Sequence, residues 1–204
     1  AGQGVGLGIA QAFAAQGAKV VITGRDAQRL DSAVSAIAAR GGKVLACPGD
    51  AALRENAECA VSAAVEKFGG LDILVNNAQA RRSGVPFEEI TGEDMALALG
   101  SGPLATLFHM QAAFPHMREQ GGSIINFTSI SYMMGNAGYP VYTAANSAIN
   151  GMSRSLAREF GPDRIRVLLP GVGDPERLGA IFDKRSRIAF RLVDVSMTAE
   201  AALH

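Results

Sequence analysis

A chain of 204 residues, 48% hydrophobic and 19% charged, is long enough for one domain with a sizeable core and too apolar to be disordered. Nineteen basic residues balance nineteen acidic ones, which removes the electrostatic case for nucleic acid or an anionic membrane surface as a partner. No apolar run approaches the roughly 20 residues that span a bilayer, and no signal-peptide pattern opens the sequence, so a cytoplasmic protein is expected.

The first stretch, AGQGVGLG, sets Gly2, Gly6 and Gly8 in a Gly-x-x-x-Gly-x-Gly pattern. Glycine here permits a tight turn and close approach of an anionic group to backbone N–H groups. The helix expected from about residue 6 presents its positive end to that group. KVVIT at 19–23 reads as an apolar, β-branched strand, followed by Gly24 and Arg25. Ala27, Leu30, Val34, Ile37 and Ala38 then form one helical stripe that stops at Gly41-Gly42. KVLAC at 43–47 is the next strand, and Val61, Ala64, Val65 and Phe68 mark a helix that stops before Gly69-Gly70. Strands LDILVNN (71–77), SIINFT (123–128) and IRVLL (165–169) continue the series, with long helices over about 91–118 and 142–160.

Apolar strands alternating with amphipathic helices imply an α/β protein: a doubly wound, Rossmann-type parallel sheet with helices on both faces, in a single domain over residues 1–204. Two features break the pattern. A sheet of this kind places its first strand at the centre, leading into the glycine turn, and no strand precedes the turn here; that first strand is expected to be missing from the sequence. The segment 172–204 alternates poorly and carries the charge cluster DKRSR (183–187), and is expected to form a helix-containing surface segment.

Cys47 and Cys59 fit neither zinc nor CxxC redox spacing and are expected to be reduced, structural thiols. His109, His116 and His204 have no metal-ligand spacing either, and no metal is expected. His109 and His116, seven apart, fall on one helical face, where packing or a solvated edge is the expected role.

In order along the chain stand the glycine turn, Asp50 after the second of the strands read above, NNA at 76–78, TSI with Ser129, Tyr142, and PG at 170–171. Together they resemble the short-chain dehydrogenase/reductase family, of the β-ketoacyl-carrier-protein-reductase-like type, over about residues 1–171. The resemblance implies an oxidoreductase that moves a hydride between a nicotinamide cofactor and a carbonyl or alcohol. It implies cofactor contacts at Gly2, Gly6, Leu7, Gly8, Arg25, Asp50, Ala51, Asn77, Ala78, Pro170 and Gly171. Gly24 stands where an acid would bind the adenosine ribose, and Arg25 offers a guanidinium suited to a 2′-phosphate, so NADP(H) is favoured and NAD(H) remains possible. In the family the tyrosine hydroxyl is the general acid/base and the serine holds the substrate oxygen, roles that fall on Tyr142 and Ser129. The family's paired long helices imply a homodimer or homotetramer.

The family's lysine lies one helical turn beyond the tyrosine, where it binds the nicotinamide ribose and favours the phenolate. Here that position holds Asn146, which keeps hydrogen-bonding capacity without charge. Gly102 stands where the family has a proton-relay asparagine, and Gln79 replaces the glycine of NNAG. No threonine follows Gly171. These departures imply impaired oxidation, which needs the phenolate, with reduction surviving at a reduced rate. Tyr132, Met133, Met134 and Tyr139 are candidates to line an apolar substrate pocket, or to be core or dimer contacts. Arg81 and Arg82, after the 71–77 strand, are candidates to replace the lysine charge. The alternative is a catalytically inactive homologue that binds nucleotide or a protein partner.

Overall fold

The computed structural model describes residues 1–82, 84–161, 165–169 and 187–191. In chain order the elements are α1 (Gly4–Ala15), β1 (Lys19–Gly24), α2 (Ala27–Ala38), β2 (Lys43–Pro48), α3 (Arg54–Phe68) and β3 (Ile73–Asn76). Then follow α4 (Gly92–Leu99), α5 (Ala105–Met117), β4 (Gly122–Asn126), a short α6 (Ser131–Met134), α7 (Pro140–Phe160), β5 (Ile165–Leu168) and β6 (Arg187–Arg191). The strands form one six-stranded sheet in the order β2-β1-β6-β3-β4-β5, with every pairing parallel.

Residues along β1 alternate between two cores. Val20 and Ile22 join Ala10, Phe13, Leu30, Ile37, Ile73 and Val75 on one face, under α1 and α2. Val21 joins Val61, Leu71, Leu74, Met110, Met117 and Ile124 on the other, under α3 and α5. Successive side chains point to opposite faces, so a strand covered on both sides is apolar throughout. The helix ends follow the expected chemistry. Asp26 caps α2 by accepting from the Arg29 N–H at 3.0 Å, and α3 stops at Gly69, whose φ of 82° is left-handed.

Several element ends shift by one or two residues from the sequence expectation, and three differences have a local cause. α1 begins at Gly4 rather than about residue 6, because Gly4, at φ 61°, turns the chain into the helix two residues sooner. The 71–77 strand contracts to Ile73–Asn76, the part paired with β4 and β6. The helix expected over 91–118 is continuous but contains a π turn at Gly100–Leu104, where the Ala105 N–H reaches the Gly100 carbonyl. Pro103 lies inside that turn and has no N–H to keep the regular ladder in step.

The largest correction concerns the centre of the sheet. The segment 172–204 is expected to be a surface segment that contains a helix. Instead Arg187–Arg191 is a central strand, paired in parallel with Lys19–Ile22 on one side and Ile73–Asn76 on the other. Without a strand there, β1 and β3 would each leave a row of buried N–H and C=O groups unpaired, and β6 satisfies both. The rest of 172–204 lies outside the described residues.

Candidate cofactor cleft and active site

The sheet collects the predicted residues on one edge. β1, β2, β3 and β4 end at Gly24, Pro48, Asn76 and Asn126. Arg25, Asp50, Ala51, Asn77, Ala78 and Ser129 follow within a few residues of those ends. The strand order reverses on either side of β6, the kind of switch point beside which open α/β sheets bind ligands.

At the glycine turn the work is divided. A Cβ on Gly2 would lie 2.8 Å from the Arg29 backbone carbon, so only glycine fits that approach. Gly6 is buried against the sheet side of α1, and Leu7 packs beside the first core cluster. Gly8 is exposed, and a Cβ there would meet nothing within 4 Å, which leaves open space above the first turns of α1. Next to the turn is a cavity of about 260 Å³ lined by Gly2, Gln3, Gly24, Arg25, Asp26 and Arg29 among others. Arg25 is exposed there. Arg29 pairs with Asp26 at 3.1 Å and donates to Gln3 Oε1 at 2.5 Å. Sequence reasoning missed Arg29; the available signal was its place one turn into α2, three residues past the Asp26 cap.

The loop after β2 is pinned to its neighbours. The Gly49 N–H donates to the Gly24 carbonyl at 2.8 Å, and Asp50 Oδ1 accepts from the Ala52 N–H at 2.9 Å. The Asp50 carbonyl accepts from Asn56 Nδ2 at 3.0 Å. Ala51 packs with Ala78 and Ala105 in a small buried cluster, joining this loop to the one after β3. Deeper in, Asn76 Nδ2 donates to Asn126 Oδ1 at 2.8 Å, and Asn126 Nδ2 donates to Ser153 Oγ at 2.8 Å. This buried polar rung ties β3 and β4 to α7.

Ser129 and Tyr142 are both half-buried. Ser129 Oγ accepts from the Ser131 N–H at 3.3 Å, at the entry to α6. Tyr142 lies in the first turn of α7, which Pro140 opens. The Arg81 guanidinium lies over the Tyr142 ring, 4.2 Å from its centroid, and 5.4 Å from that of Tyr139. Arg82 turns elsewhere, to Asp94 at 3.5 Å and the Glu89 carbonyl at 3.1 Å. Of the two candidate arginines, the structure brings Arg81 to the tyrosine. Met133 and Met134 are exposed rather than in the core, while Tyr132 and Tyr139 are half-buried.

Asn146, Gln79 and Gly102 meet in one place. Asn146 is buried and donates its Nδ2 to the Tyr142 carbonyl at 2.8 Å and to Gln79 Oε1 at 3.1 Å. The carbonyl can accept only from nitrogen, which fixes the orientation of the Asn146 amide. Gln79 is 7% exposed, so its side chain turns inward rather than out toward the cleft. A Cβ on Gly102 would lie 3.1 Å from Gln79 Nε2 and 3.4 Å from Gln79 Cγ. Gln79 therefore fills the space beside Gly102 and holds Asn146 from the other side. Asn146 Oδ1 and Gln79 Nε2 are buried without a hydrogen-bond partner among the described residues. One acceptor and one donor are thus left for a bound polar group. Ser101 was also missed in the sequence. Its Oγ accepts from the Ala80 N–H at 2.8 Å and donates to the Leu97 carbonyl at 2.7 Å, anchoring the loop after β3 to the π turn.

Pro170 and Gly171 lie outside the described residues. His109 and His116 share a helix but not an environment. His109 is buried, with Nδ1 2.9 Å from the Ala105 carbonyl, whereas His116 is exposed. Among the described residues no group of three or more His, Cys, Asp or Glu could hold a metal ion, and no helix is long and apolar enough to cross a membrane.

The family model described as enoyl-(acyl carrier protein) reductase matches residues 1–176. A 12alpha-hydroxysteroid dehydrogenase of Clostridium sp. (strain ATCC 29733) is 40% identical over 168 residues, 80% of this chain and 65% of that enzyme. A D-xylose 1-dehydrogenase of Caulobacter vibrioides is 34% identical over 176 residues, 83% of this chain and 68% of that enzyme. The chain thus spans about two thirds of the length of these relatives. Among solved structures, a metagenomic short-chain oxidoreductase in complex with NADP superposes with a TM-score of 0.82 at 25% identity, covering 97% of this chain and 94% of that one. A short-chain dehydrogenase from Burkholderia cenocepacia in complex with NADP gives 0.77 at 36% identity, covering 82% and 69%. By sequence and by fold, the chain belongs to the short-chain dehydrogenase/reductase family.

Proposed function

We propose that the protein is an NADP(H)-dependent reductase of a small carbonyl compound, working through Ser129 and Tyr142 with Arg81 in place of the missing lysine charge. The carrying observation is the Arg81 guanidinium 4.2 Å over the Tyr142 ring. It brings a cation to a tyrosine whose neighbour one turn on is the neutral Asn146.

The residues present fit the cofactor in several respects. The cavity beside the glycine turn is lined by two guanidiniums, and the start of α2 adds its positive end. Arg25 and Arg29 would hold a 2′-phosphate, which favours NADP(H) and leaves NAD(H) as the weaker ligand. The open space at Gly8 suits the pyrophosphate, near the N-terminus of α1. The unpartnered Asn146 Oδ1 would accept from a ribose hydroxyl. When bound, the nicotinamide supplies the hydride.

The chain's own groups handle the proton. Ser129 Oγ holds the substrate oxygen, and the Tyr142 hydroxyl delivers a proton to it as negative charge develops there. Arg81 attracts the negative charge that develops on the phenolic oxygen. Asn146 acts as a positioning residue, since its amide grips the Tyr142 carbonyl. Donation needs only a neutral tyrosine, so reduction is the favoured direction. Exposed Ile130, Met133 and Met134 beside Ser129 suit an apolar substrate, and the relatives named above act on alcohols or their carbonyl counterparts. A homodimer or homotetramer in the cytoplasm belongs to the same proposal, with α5 and α7 as the contact helices.

The test is carbonyl-dependent oxidation of NADPH across a panel of ketones and aldehydes. Turnover that falls at least about 100-fold in Tyr142→Phe supports the proposal. Nucleotide binding with no turnover on any carbonyl would favour the inactive homologue.

A further inference from the structure

Cys47 and Cys59 are distant by motif yet adjacent in space. Cys47 lies on β2 and Cys59 on α3, with the Sγ atoms 3.9 Å apart. A disulfide has an S–S distance near 2.05 Å, so a closure of about 1.9 Å, within reach of side-chain rotation and small backbone adjustment, would bond them. The two differ in access. Cys59 is exposed, whereas Cys47 is partly buried and packs beside Val61, Leu71 and their neighbours in the second core cluster.

We propose that this pair is a thiol modification site, in which hydrogen peroxide converts Cys47 and Cys59 into an intramolecular disulfide that bridges β2 and α3. The exposed Cys59 thiolate attacks the peroxide. An S–O bond forms, the O–O bond breaks, and hydroxide leaves, so that Cys59 becomes a sulfenic acid. The Cys47 thiolate then attacks the Cys59 sulfur. The S–S bond forms, the S–O bond breaks, and a second hydroxide leaves. With the two thiol protons the balance is two thiols and one hydrogen peroxide to one disulfide and two waters.

Burial, followed by the neighbouring Cys59, pushes the Cys47 thiol up to about 11. The second step is therefore slow near neutrality and speeds up as pH rises from 7 toward 9. The ring closed by the bond contains Asp50 and Ala51, which the family resemblance places among the cofactor contacts. The disulfide itself does not depend on that assignment.

The test treats the purified full-length protein with hydrogen peroxide at pH 7, 8 and 9. Free thiols are counted, and the intact mass is measured with and without a dithiol reductant. The expected result is loss of both thiols, a mass decrease of about 2 Da reversed by the reductant, a monomeric band on non-reducing gels, and a faster reaction at higher pH. Cys47→Ser should stop at oxygen adducts on Cys59, and Cys59→Ser should keep a single thiol. Oxygen adducts on Cys59 of the unaltered chain with Cys47 still free, or disulfides between chains in place of the internal one, would overturn the proposal.

Discussion

Gly102→Asn puts back the side chain that the family's proton relay uses, and the structure predicts that it fails alone. The new Cβ would lie 3.1 Å from Gln79 Nε2, 3.4 Å from Cγ and 3.5 Å from Cδ. The amide beyond it must enter volume that Gln79 fills, and overpacking of that kind costs about 1–3 kcal/mol. Gln79→Gly alone loses one hydrogen bond to Asn146, about 1 kcal/mol. It also loses about 1.6 kcal/mol for two buried methylenes. Against this, it removes the unpartnered Nε2, whose burial costs about 1–3 kcal/mol. The net is a small change. In the double variant the overpacking cost disappears, so the two substitutions should couple favourably by about 1–3 kcal/mol. Urea unfolding of the four proteins of the double-mutant cycle measures this directly. Stability losses that add to within about 0.5 kcal/mol would refute the idea that Gln79 and Gly102 form one packed unit.

Removing the Arg81 guanidinium should lower kcat more than it raises KM. A cation over an aromatic ring contributes about 0.5–2 kcal/mol, so Arg81→Ala should slow turnover roughly 2- to 30-fold, with Arg81→Lys recovering part of it. Equal rates in all three proteins would remove Arg81 from the site. Arg29→Ala should weaken NADPH binding about 10-fold or more and leave NADH nearly unchanged, since a charge-assisted bond to a phosphate contributes about 1.5–3 kcal/mol. Its ion pair with Asp26 is half exposed, so the fold should lose little. For Cys47 the folded protein raises the thiol from 9.0 to about 11. The neutral thiol is favoured by folding, so that stabilisation is complete below pH 9 and is lost as pH rises toward 11. Cys47→Ala should flatten the fall in melting temperature across that window, as calorimetry would show.

The fold was legible because its signals are local. KVVIT and LDILVNN are apolar without a break, as strands covered on both faces must be, and the glycines after α2 and α3 sit where the helices end. β6 was not legible. RIAFR is short and flanked by charge, and nothing within it shows that β1 and β3 lack a strand between them. Only pairing across the sheet makes a strand of it. The candidate site divides in the same way. Ser129 and Tyr142 could be named from their motif and spacing. The grouping of Gln79, Gly102 and Asn146 could not, because a sequence presents them as separate departures and only their packing makes them one arrangement. The closeness of the two cysteines, both free thiols as expected, was not legible for a related reason: the eleven intervening residues run along a loop and up a helix that folds back onto its own strand.

The most direct test of the central claim is a calorimetric titration of the chain with NADPH and with NADH, beside Asn146→Lys. If the cleft binds nucleotide with an amide where the family has a lysine, the unaltered chain should bind NADPH, and more tightly than NADH, and the variant should not be required for binding. No binding by the unaltered chain, restored in Asn146→Lys, would contradict that claim and make Asn146 the residue that disabled the site.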